Sequence, residues 1–349
     1  MAELAQQNIV KIIWNSKDVT TDVSPFFSAL TYKNHEEAMS DELSIIFDNS
    51  TGVWANDWYP TQGNTIRVYL GYQDSQIDTG LFQIDEITLN GMPDIVEVKC
   101  VAAGATPALR TRNSKAFEAQ TLKQIAEFFA KKYGFTVVDT TSLMSQIGMD
   151  RKTQEEETDL FFLSKLAKEY GFIFTIRGSQ LVFTDYYALD NAASIMAIDK
   201  SQCGLYSLTN KTFDTYAGAY VKKRNPKTGK LISFSFENLT GGVVTNQLLV
   251  DGRTSTISQA SRKSIAGLWD KNRFKESGVL NDIPGDPSLL AGTNFDLTGF
   301  GSASGQYHIV SSAHKIQDSL YKMDLEIRKT GTIPKPKRVL AQSNSNISL

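Results

Sequence analysis

The stretch at residues 153–183 constrains the fold most, because it encodes a capped helix, a stop and a hairpin in immediate succession. Apolar residues recur there at spacings of three and four, which predicts one buried helix face. These residues are Leu160, Leu163, Leu166, Ala167 and Tyr170. Thr158 suits the entry of the helix and Gly171 its end. Alternating residues follow, and the pair Gly178 and Ser179 predicts a tight turn between two strands.

A run of carboxylates, Glu155, Glu156 and Glu157, precedes this helix, and Asp159 stands at its entry. Two carboxylates that flank a cleft can hydrolyse glycosidic bonds, usually with one acid in an apolar pocket. Negative charge at the positive end of the helix dipole explains a contiguous run more simply. We therefore interpret the run as a helix entrance and a contact surface, and we predict no catalytic residue.

The length of 349 residues predicts two to four domains. Residues 1–103 read as short strands with regular turns, which predicts a small barrel or sandwich. Residues 104–200 alternate between helix and strand patterns and predict an α+β module. Residues 201–330 return to strand patterns around a helical insertion near 251–285, and residues 331–349 predict an extended arm.

Individual elements follow from alternation, turn residues and caps. Strands are predicted at 9–14, 29–32, 43–47, 65–72, 80–89, 95–102, 205–208, 217–223, 231–236, 293–297, 305–312 and 321–328, and further helices at 122–133 and 255–274. Thr121 and Gln124 form a capping-box pattern before the first of these helices, and Gly134 ends it. The segment 130–138 resembles 167–175, which indicates either two helix–strand units packed in one module or similar helix-stop chemistry by coincidence.

Composition excludes several classes of protein. The net charge of −2 provides no general basic field for nucleic acid. Cys100 and Cys203 are the only cysteines, so we expect buried reduced thiols rather than a disulfide framework. No apolar run approaches the roughly 18 residues that a membrane span needs. The N-terminus lacks the pattern of a signal peptide, so we expect folding in a reducing cytoplasm.

Motifs for cofactors, metals or nucleophiles are not evident. His35, His308 and His314 lack cysteine or carboxylate neighbours at zinc-ligand spacing, so we predict structural or surface roles. The glycines at 299 and 301 lack the strand–turn–helix setting of a phosphate site and predict a permissive loop. The basic clusters at 222–224 and 335–338 are interpreted as solvated loop charge. We predict no catalytic, cofactor-binding or metal residue, and no enzyme.

Four segments resemble the phage late control gene D family. Residues 80–94 (GLFQIDEITLNGMPD) resemble its G-x-F-x-I-D-E-I-x-x-x-G-x-P-D signature, and residues 54–71 resemble the segment before it. Residues 153–171 resemble its Q-x-x-E-[ST]-D-x-x-F-L-x-x-L-A-x-x-x-G stretch. Residues 287–307, followed by His314 and Tyr321, resemble its C-terminal β pattern. The four segments occur in order and together cover most of residues 40–328.

The resemblance implies a baseplate hub of a contractile tail, similar to the phage Mu hub and to the N-terminal part of type VI secretion VgrG spike proteins. Its implied fold is a β-rich α+β protein, in which two tube-type antiparallel β-barrels flank the central module. Three subunits of such a hub form a ring of six barrels that adapts the sixfold tail tube to a threefold spike and lines the channel.

The implied partners are two further copies, a separate central spike protein, a tail tube or tube-initiator protein, baseplate wedge proteins and the tape-measure protein. DNA is implied only as transiting cargo, and no stable membrane insertion is expected. The location implied is the tail baseplate, assembled in the bacterial host cytoplasm. Two alternatives stay open: a peptidoglycan-degrading tail enzyme, and the same hub in a phage-derived bacteriocin or injection system.

Overall fold

The structure is a computed structural model. It describes residues 7–37, 40–102, 111–224, 229, 231–237, 246–250, 256–331 and 340–342. The first region contains β1 (Asn8–Trp14), β2 (Lys17–Asp18), α1 (Thr20–Val23), β3 (Phe27–His35), β4 (Glu42–Asp48), β5 (Thr65–Tyr72), β6 (Ser75–Asn90) and β7 (Ile95–Ala102).

The middle of the chain contains β8 (Arg112–Thr121), α2 (Leu122–Tyr133), β9 (Thr136–Asp139), β10 (Gly148–Thr158), α3 (Asp159–Glu169), β11 (Phe172–Arg177), β12 (Gln180–Asp185) and α4 (Tyr186–Asp190). The last part contains β13 (Ser194–Asp199), β14 (Leu205–Asn210), β15 (Gly218–Arg224), β16 (Leu231–Glu237), β17 (Gln247–Leu249), α5 (Ile257–Asn272), β18 (Glu276–Pro284), β19 (Asn294–Thr298), β20 (Gly305–Gln317), β21 (Leu320–Lys329) and β22 (Leu340–Gln342).

A 13-stranded sheet runs through both ends of the chain and consists of two halves with the same pairing order. The first half pairs its strands as β3-β4-β7-β6-β5-β1, with β2 added at the edge. The second half pairs as β14-β18-β21-β20-β19-β13. Each of the six strands in the first order therefore has a counterpart in the second order. The two counterparts hold the same place both along the chain and in the pairing order. The predicted fold class, with two β domains of one type, is confirmed.

A β-bulge marks the same place in both halves. Between β6 and β7 the register shifts from Ile84 to Glu86, and between β20 and β21 it shifts from Ile309 to Ser311. Bulges bend a strand and increase its twist, so a repeated bulge gives both halves the same bend. The bulge also aligns the halves residue by residue, with Ile84 at the position of Ile309.

The two halves have separate apolar cores that meet at one strand pair. Alternating residues of β3 to β7 fill the first core, as the predicted strand patterns require, and Phe82 and Val98 are fully buried there. The second core includes Phe295, Ile309 and Ile327. Antiparallel pairing of β3 with β20 joins the halves into one sheet.

The middle of the chain forms a compact α+β unit around its own core. Helices α2 and α3 pack with Phe174 and Phe183 on a three-stranded sheet in the order β11-β12-β9. The capping box at Thr121 and Gln124 is confirmed, and Gly134 ends α2 with φ +72°. The two similar helix–strand units share this core, since β12 lies between β9 and β11.

The acidic run is corrected by the structure. Glu155, Glu156 and Glu157 lie in β10, which pairs with β8, and not in the first turn of α3. A bulge between Gln154 and Glu157 explains the difference, because it lets the strand continue to the N-cap, Thr158. The strand β18, which the sequence reading missed, occupies residues between the predicted helix and its loop.

A four-stranded sheet, β17-β15-β16-β22, packs against α5 and forms the fourth core cluster. It includes β22, which falls in the predicted arm, while the other arm residues and most of the predicted turn at 225–229 lie outside the described residues. Strand β13 pairs with β19 although its sequence falls within the predicted central module. The boundaries at residues 103, 200 and 330 therefore stay a proposal. None of the helices in the described ranges could cross a membrane.

Candidate assembly site

The joint between the halves is the first candidate for a functional site, because it makes two domains one rigid sheet. The rings of Tyr32 on β3 and His314 on β20 stack with centroids 6.1 Å apart. His314 Nδ1 lies 2.7 Å from the hydroxyl oxygen of Tyr321. Burial lowers the pKa of His314 to about 4, so this histidine is neutral at physiological pH. It serves the joint as a buried polar bridge, which fits the predicted structural role.

A buried polar junction lies at the end of β3, where the sheet meets the other parts of the chain. We use that name for Glu36, Asp190, Trp269, Asn294, His308 and Arg328. The guanidinium of Arg328 is fully buried, and its Nη1 donates to Asp190 Oδ1 at 2.6 Å. Trp269 Nε1 of α5 donates to the second oxygen of Asp190 at 3.1 Å. The junction therefore connects the sheet, the end of α4 and α5.

His308 completes the junction on its other side. Its Nε2 lies 2.5 Å from Glu36 Oε1, and its Nδ1 lies 2.5 Å from Asn294 Oδ1. The amide nitrogen of Asn294 donates to the carbonyls of Leu189 and Ala192, which leaves its oxygen free to accept from His308. Burial alone would raise the pKa of Glu36, but His308 and Arg328 outweigh burial and hold that pKa below its ordinary value.

Two partly buried ion pairs extend the contact between the parts. Arg177 at the end of β11 donates from Nη1 to Asp41 Oδ2 at 3.0 Å, beside β4. Arg273 after α5 pairs with Glu37 after β3. Helix α5 also contacts α3, because Lys263 Nζ lies 2.5 Å from Glu169 Oε1 and Lys168 Nζ lies 3.0 Å from Asp270 Oδ1. The central module and α5 are thus joined to each other, and both are joined to the large sheet near the end of β3.

Asp159 organises the central module from within. Its side chain is fully buried and accepts hydrogen bonds from Lys132 at 2.6 Å, Tyr133 at 2.5 Å, Gln154 at 2.7 Å and Asn113 at 3.1 Å. Burial alone would raise the pKa of Asp159, but these four donors hold it below its ordinary value. The residue joins the start of α3 to the end of α2 and to the β8–β10 ribbon. Its role is structural.

The remaining residues considered from sequence do not come together. Glu155 and Glu156 are exposed on β10, and Glu157 pairs with Lys165 at 2.5 Å. His35 is buried near the polar junction but touches no metal-ligand cluster. In the described part of the chain, no group of three or more histidine, cysteine or carboxylate residues could hold a metal ion.

The glycine loop and the cysteines have structural environments. Gly299 and Gly301 adopt φ +80° and +60°, which fits the predicted permissive loop. Cys100 and Cys203 are free and buried, as predicted, and burial raises the pKa of Cys100 to about 12. Lys222 lies exposed on β15, while residues 335–338 fall outside the described residues.

Sequence reasoning missed the polar junction. Arg328 lies on β21 and Glu36 follows β3, where charged residues are mostly exposed. Here Asp190 of α4 and Trp269 of α5 contact Arg328, and His308 contacts Glu36. The spacing of Thr158 and Asp159 signalled a helix start but not the burial of Asp159. A local signal existed only for the helix cap.

Comparisons with known proteins agree with this geometry. Residues 97–202 match the family model described as phage tail baseplate hub (GPD). A probable baseplate hub protein of Escherichia phage 186 is 28% identical over 170 residues, which is 48% of this chain and 43% of that protein. A probable baseplate hub protein of Escherichia phage P2 is 24% identical over 173 residues, which is 49% of this chain and 44% of that protein. The aligned region thus spans less than half of either relative, and neither name denotes an enzyme.

Solved structures share the fold across nearly the whole chain. A tail protein from Neisseria meningitidis superposes with a TM-score of 0.70 at 9% identity, covering 93% of this chain and 98% of that one. The 43 kDa tail protein of prophage MuSo2 from Shewanella oneidensis gives a TM-score of 0.68 at 14% identity, covering 92% and 98%. A chain of the Francisella PdpA–VgrG complex gives 0.55 at 9% identity, covering 99% and 56%.

The predicted resemblance to the phage tail baseplate hub family is therefore confirmed, through the family match over residues 97–202 and a fold shared with phage tail proteins.

Proposed function

We propose that this chain is the structural baseplate hub of a contractile phage tail or tail-like particle, and that three copies form a ring. The repeated order of strands in the two halves of the sheet carries this proposal. A ring of three chains then contains six similar β units. Such a ring matches a sixfold tube on one side and a threefold spike on the other, and closed cyclic symmetry limits assembly to three copies.

The face of the large sheet that points away from its apolar cores supports a role in lining a channel. Side chains of both signs alternate there, so the face is polar without being strongly basic. Its charged residues include Lys33, Glu42, Glu97, Lys99, Lys315, Lys322, Asp324 and Glu326. The pairing register aligns Asp324, Lys33 and Glu42 across neighbouring strands of both halves. DNA or a tape-measure protein can pass a surface of this kind without being retained by it.

The central module and the α5 sheet attach at one end of the large sheet, which supports a role for them separate from that of the barrels. The two barrels, built from β1–β7 and from β13, β14 and β18–β21, form the ring, and the central module and the α5 sheet form a collar around one opening. The partners in this proposal are the central spike protein, the tube or tube-initiator protein and the wedge proteins. Assembly takes place in the host cytoplasm before the tail is complete.

Native mass spectrometry of the purified protein tests the ring, and mass determination of the hub in intact tails tests it in the particle. We expect three copies in both. A stable monomer within the intact particle, or a count other than three, contradicts the proposal. The same geometry serves a phage-derived bacteriocin or injection system, and capsid genes beside this gene separate the two settings.

A further inference from the structure

A pocket lined by tryptophans opens in the first half of the large sheet, beside β1, β2 and α1. Its volume is about 300 Å³, at the lower end of the range of about 300–1,000 Å³ for small-molecule sites. Three of the four tryptophans of the chain line it: Trp14 on β1, and Trp54 and Trp58 in the connection between β4 and β5. The pocket belongs neither to the joint between the halves nor to the polar junction.

Two of these tryptophans differ in their surroundings. Trp54 is 2% exposed and stacks on Phe47 with ring centroids 4.0 Å apart, so it belongs to the apolar core. Trp58 is 41% exposed. Phe26 and Trp54 each meet Trp58 at nearly a right angle, with centroids 5.6 Å away, so neither ring stacks on it in parallel. Trp58 therefore presents indole surface to a ligand while two rings hold it in place.

The polar groups at the pocket include both donors and an acceptor. Lys17 on β2 and Asp22 on α1 line it and are exposed, and neither side chain pairs with another described residue. The buried indole nitrogen of Trp54 has no hydrogen-bond partner in the described part of the chain, although a buried indole N–H usually has one. The opposite charges of Lys17 and Asp22 cancel, so the lining has no net charge.

The second half of the sheet forms without such a pocket. None of its strands, β13, β14 and β18–β21, contains a tryptophan, and Trp269 lies in the polar junction. The shared strand order therefore does not require the tryptophans of the first half. An aromatic pocket added to one half of a repeated fold indicates a ligand and not a need of the fold.

We infer that this pocket binds a sugar ring of a neutral glycan. A pyranose ring has C–H groups on its faces and hydroxyl groups around its rim. The C–H groups can pack on the negative face of an indole, which Trp58 provides. The hydroxyl groups can donate to Asp22 and accept from Lys17. A charged ligand would be attracted by one of these two side chains and repelled by the other, whereas a neutral ligand uses both.

Intrinsic fluorescence reports on the pocket, because three of the four tryptophans line it. Titration of the purified protein with chitotriose, maltotriose and cellotriose should give a saturable change with at least one of them. Sorbitol is the matched control, since it carries hydroxyl groups but has no ring, and it should give no saturable change. The inference is overturned if none of the three sugars binds, or if sorbitol binds as well as they do.

Substitutions locate the binding. Trp58→Ala should weaken sugar binding at least tenfold, whereas Tyr59→Ala, at the next exposed aromatic residue and outside the pocket lining, should leave it unchanged. Asp22→Asn tests the pocket without altering the aromatic cluster and should weaken binding at least threefold. Its control is Asp57→Asn, at an exposed acid that does not line the pocket.

Sugar binding that survives both Trp58→Ala and Asp22→Asn overturns the assignment of this pocket. The inference adds a ligand to the proposed hub and does not depend on the ring. Native mass spectrometry of the same variants should give the copy number of the wild type. A missing ring and a missing sugar site are therefore distinguishable results.

Discussion

The two halves of the large sheet pair their strands in the same order, yet they bury different chemistry. The first half buries an almost wholly apolar core, in which Phe47 and Phe82 are inaccessible to solvent. The second half buries Arg328, His308 and His314 on its strands besides its apolar core. Arg328 lies where Asp190 of α4 and Trp269 of α5 contact the sheet, whereas His314 lies in the joint between the halves. The shared strand order thus gives both halves the same fold, and the buried polar residues of the second half connect it to other parts of the chain.

A second difference concerns strand direction. Strand β1 runs antiparallel to β5, whereas its counterpart β13 runs parallel to β19. Parallel neighbours need a long crossover connection, and residues 200–293, between β13 and β19, are long enough to provide it. Position in the sheet is conserved between the halves while direction is not.

The largest expected effect comes from Arg328→Met. Removing the guanidinium leaves Asp190 and Glu36 buried without their cation, which costs about 3–5 kcal/mol of unfolding free energy. Chemical denaturation measures it. The matched control, Lys329→Met, removes a partly exposed cation from the next position and should cost less than about 1 kcal/mol. Equal effects of the two variants would contradict the importance of the junction.

Equivalent core positions of the two halves should lose similar amounts of unfolding free energy when their side chains are shortened. Ile84→Ala and Ile309→Ala each remove a buried isoleucine next to the repeated bulge, and each should cost about 2–5 kcal/mol. Unfolding of each variant by urea gives the comparison. If the two variants lose clearly different amounts of unfolding free energy, the two bulges are not the same structural feature.

The junction should make stability sensitive to acid. The folded pKa of Glu36 lies below its unfolded value of about 4.3, so its stabilising contribution is present above that value and is lost as pH falls through the folded pKa. Each unit of difference contributes about 1.4 kcal/mol. Thermal unfolding between neutral and acid pH should therefore show a steeper loss for the wild type than for Glu36→Gln. Parallel profiles would refute this role.

The smallest effect is expected on the outer face beside the bulges. Lys99 and Glu86 form an exposed pair at 2.9 Å, and the equivalent pair in the second half joins Ser311 to Glu326 at 3.3 Å. Lys99→Ala and Glu326→Ala should each leave the midpoint of chemical denaturation nearly unchanged, because exposed pairs are screened by solvent. Denaturation curves that shift more would indicate that this face contributes to the fold of the isolated chain.

Local sequence patterns predicted much of the fold. The strands at 65–72 and 95–102 have the predicted bounds, because clear alternation and flanking turns define them. The capping box at Thr121 specified the start of α2 through contacts within one turn. Strand β18 escaped prediction, since its Gly278 and Asn281 interrupt the alternation and a bulge shifts its register. Patterns fail where a partner strand, and not the local residues, defines the element.

The sequence by itself determined the apolar faces, the helix stops and the resemblance to phage tail hubs, because these depend on residues near one another in the chain. Only the tertiary structure decided that the two halves share one sheet, that β10 absorbs the acidic run, and that Arg328, His308 and Glu36 are buried together. Glu36 and His308 are 272 positions apart, so no local pattern records their contact. Arg328, which lies 3.8 Å from Glu36, is in turn contacted by Asp190 of α4 and Trp269 of α5, elements that are also distant in the chain.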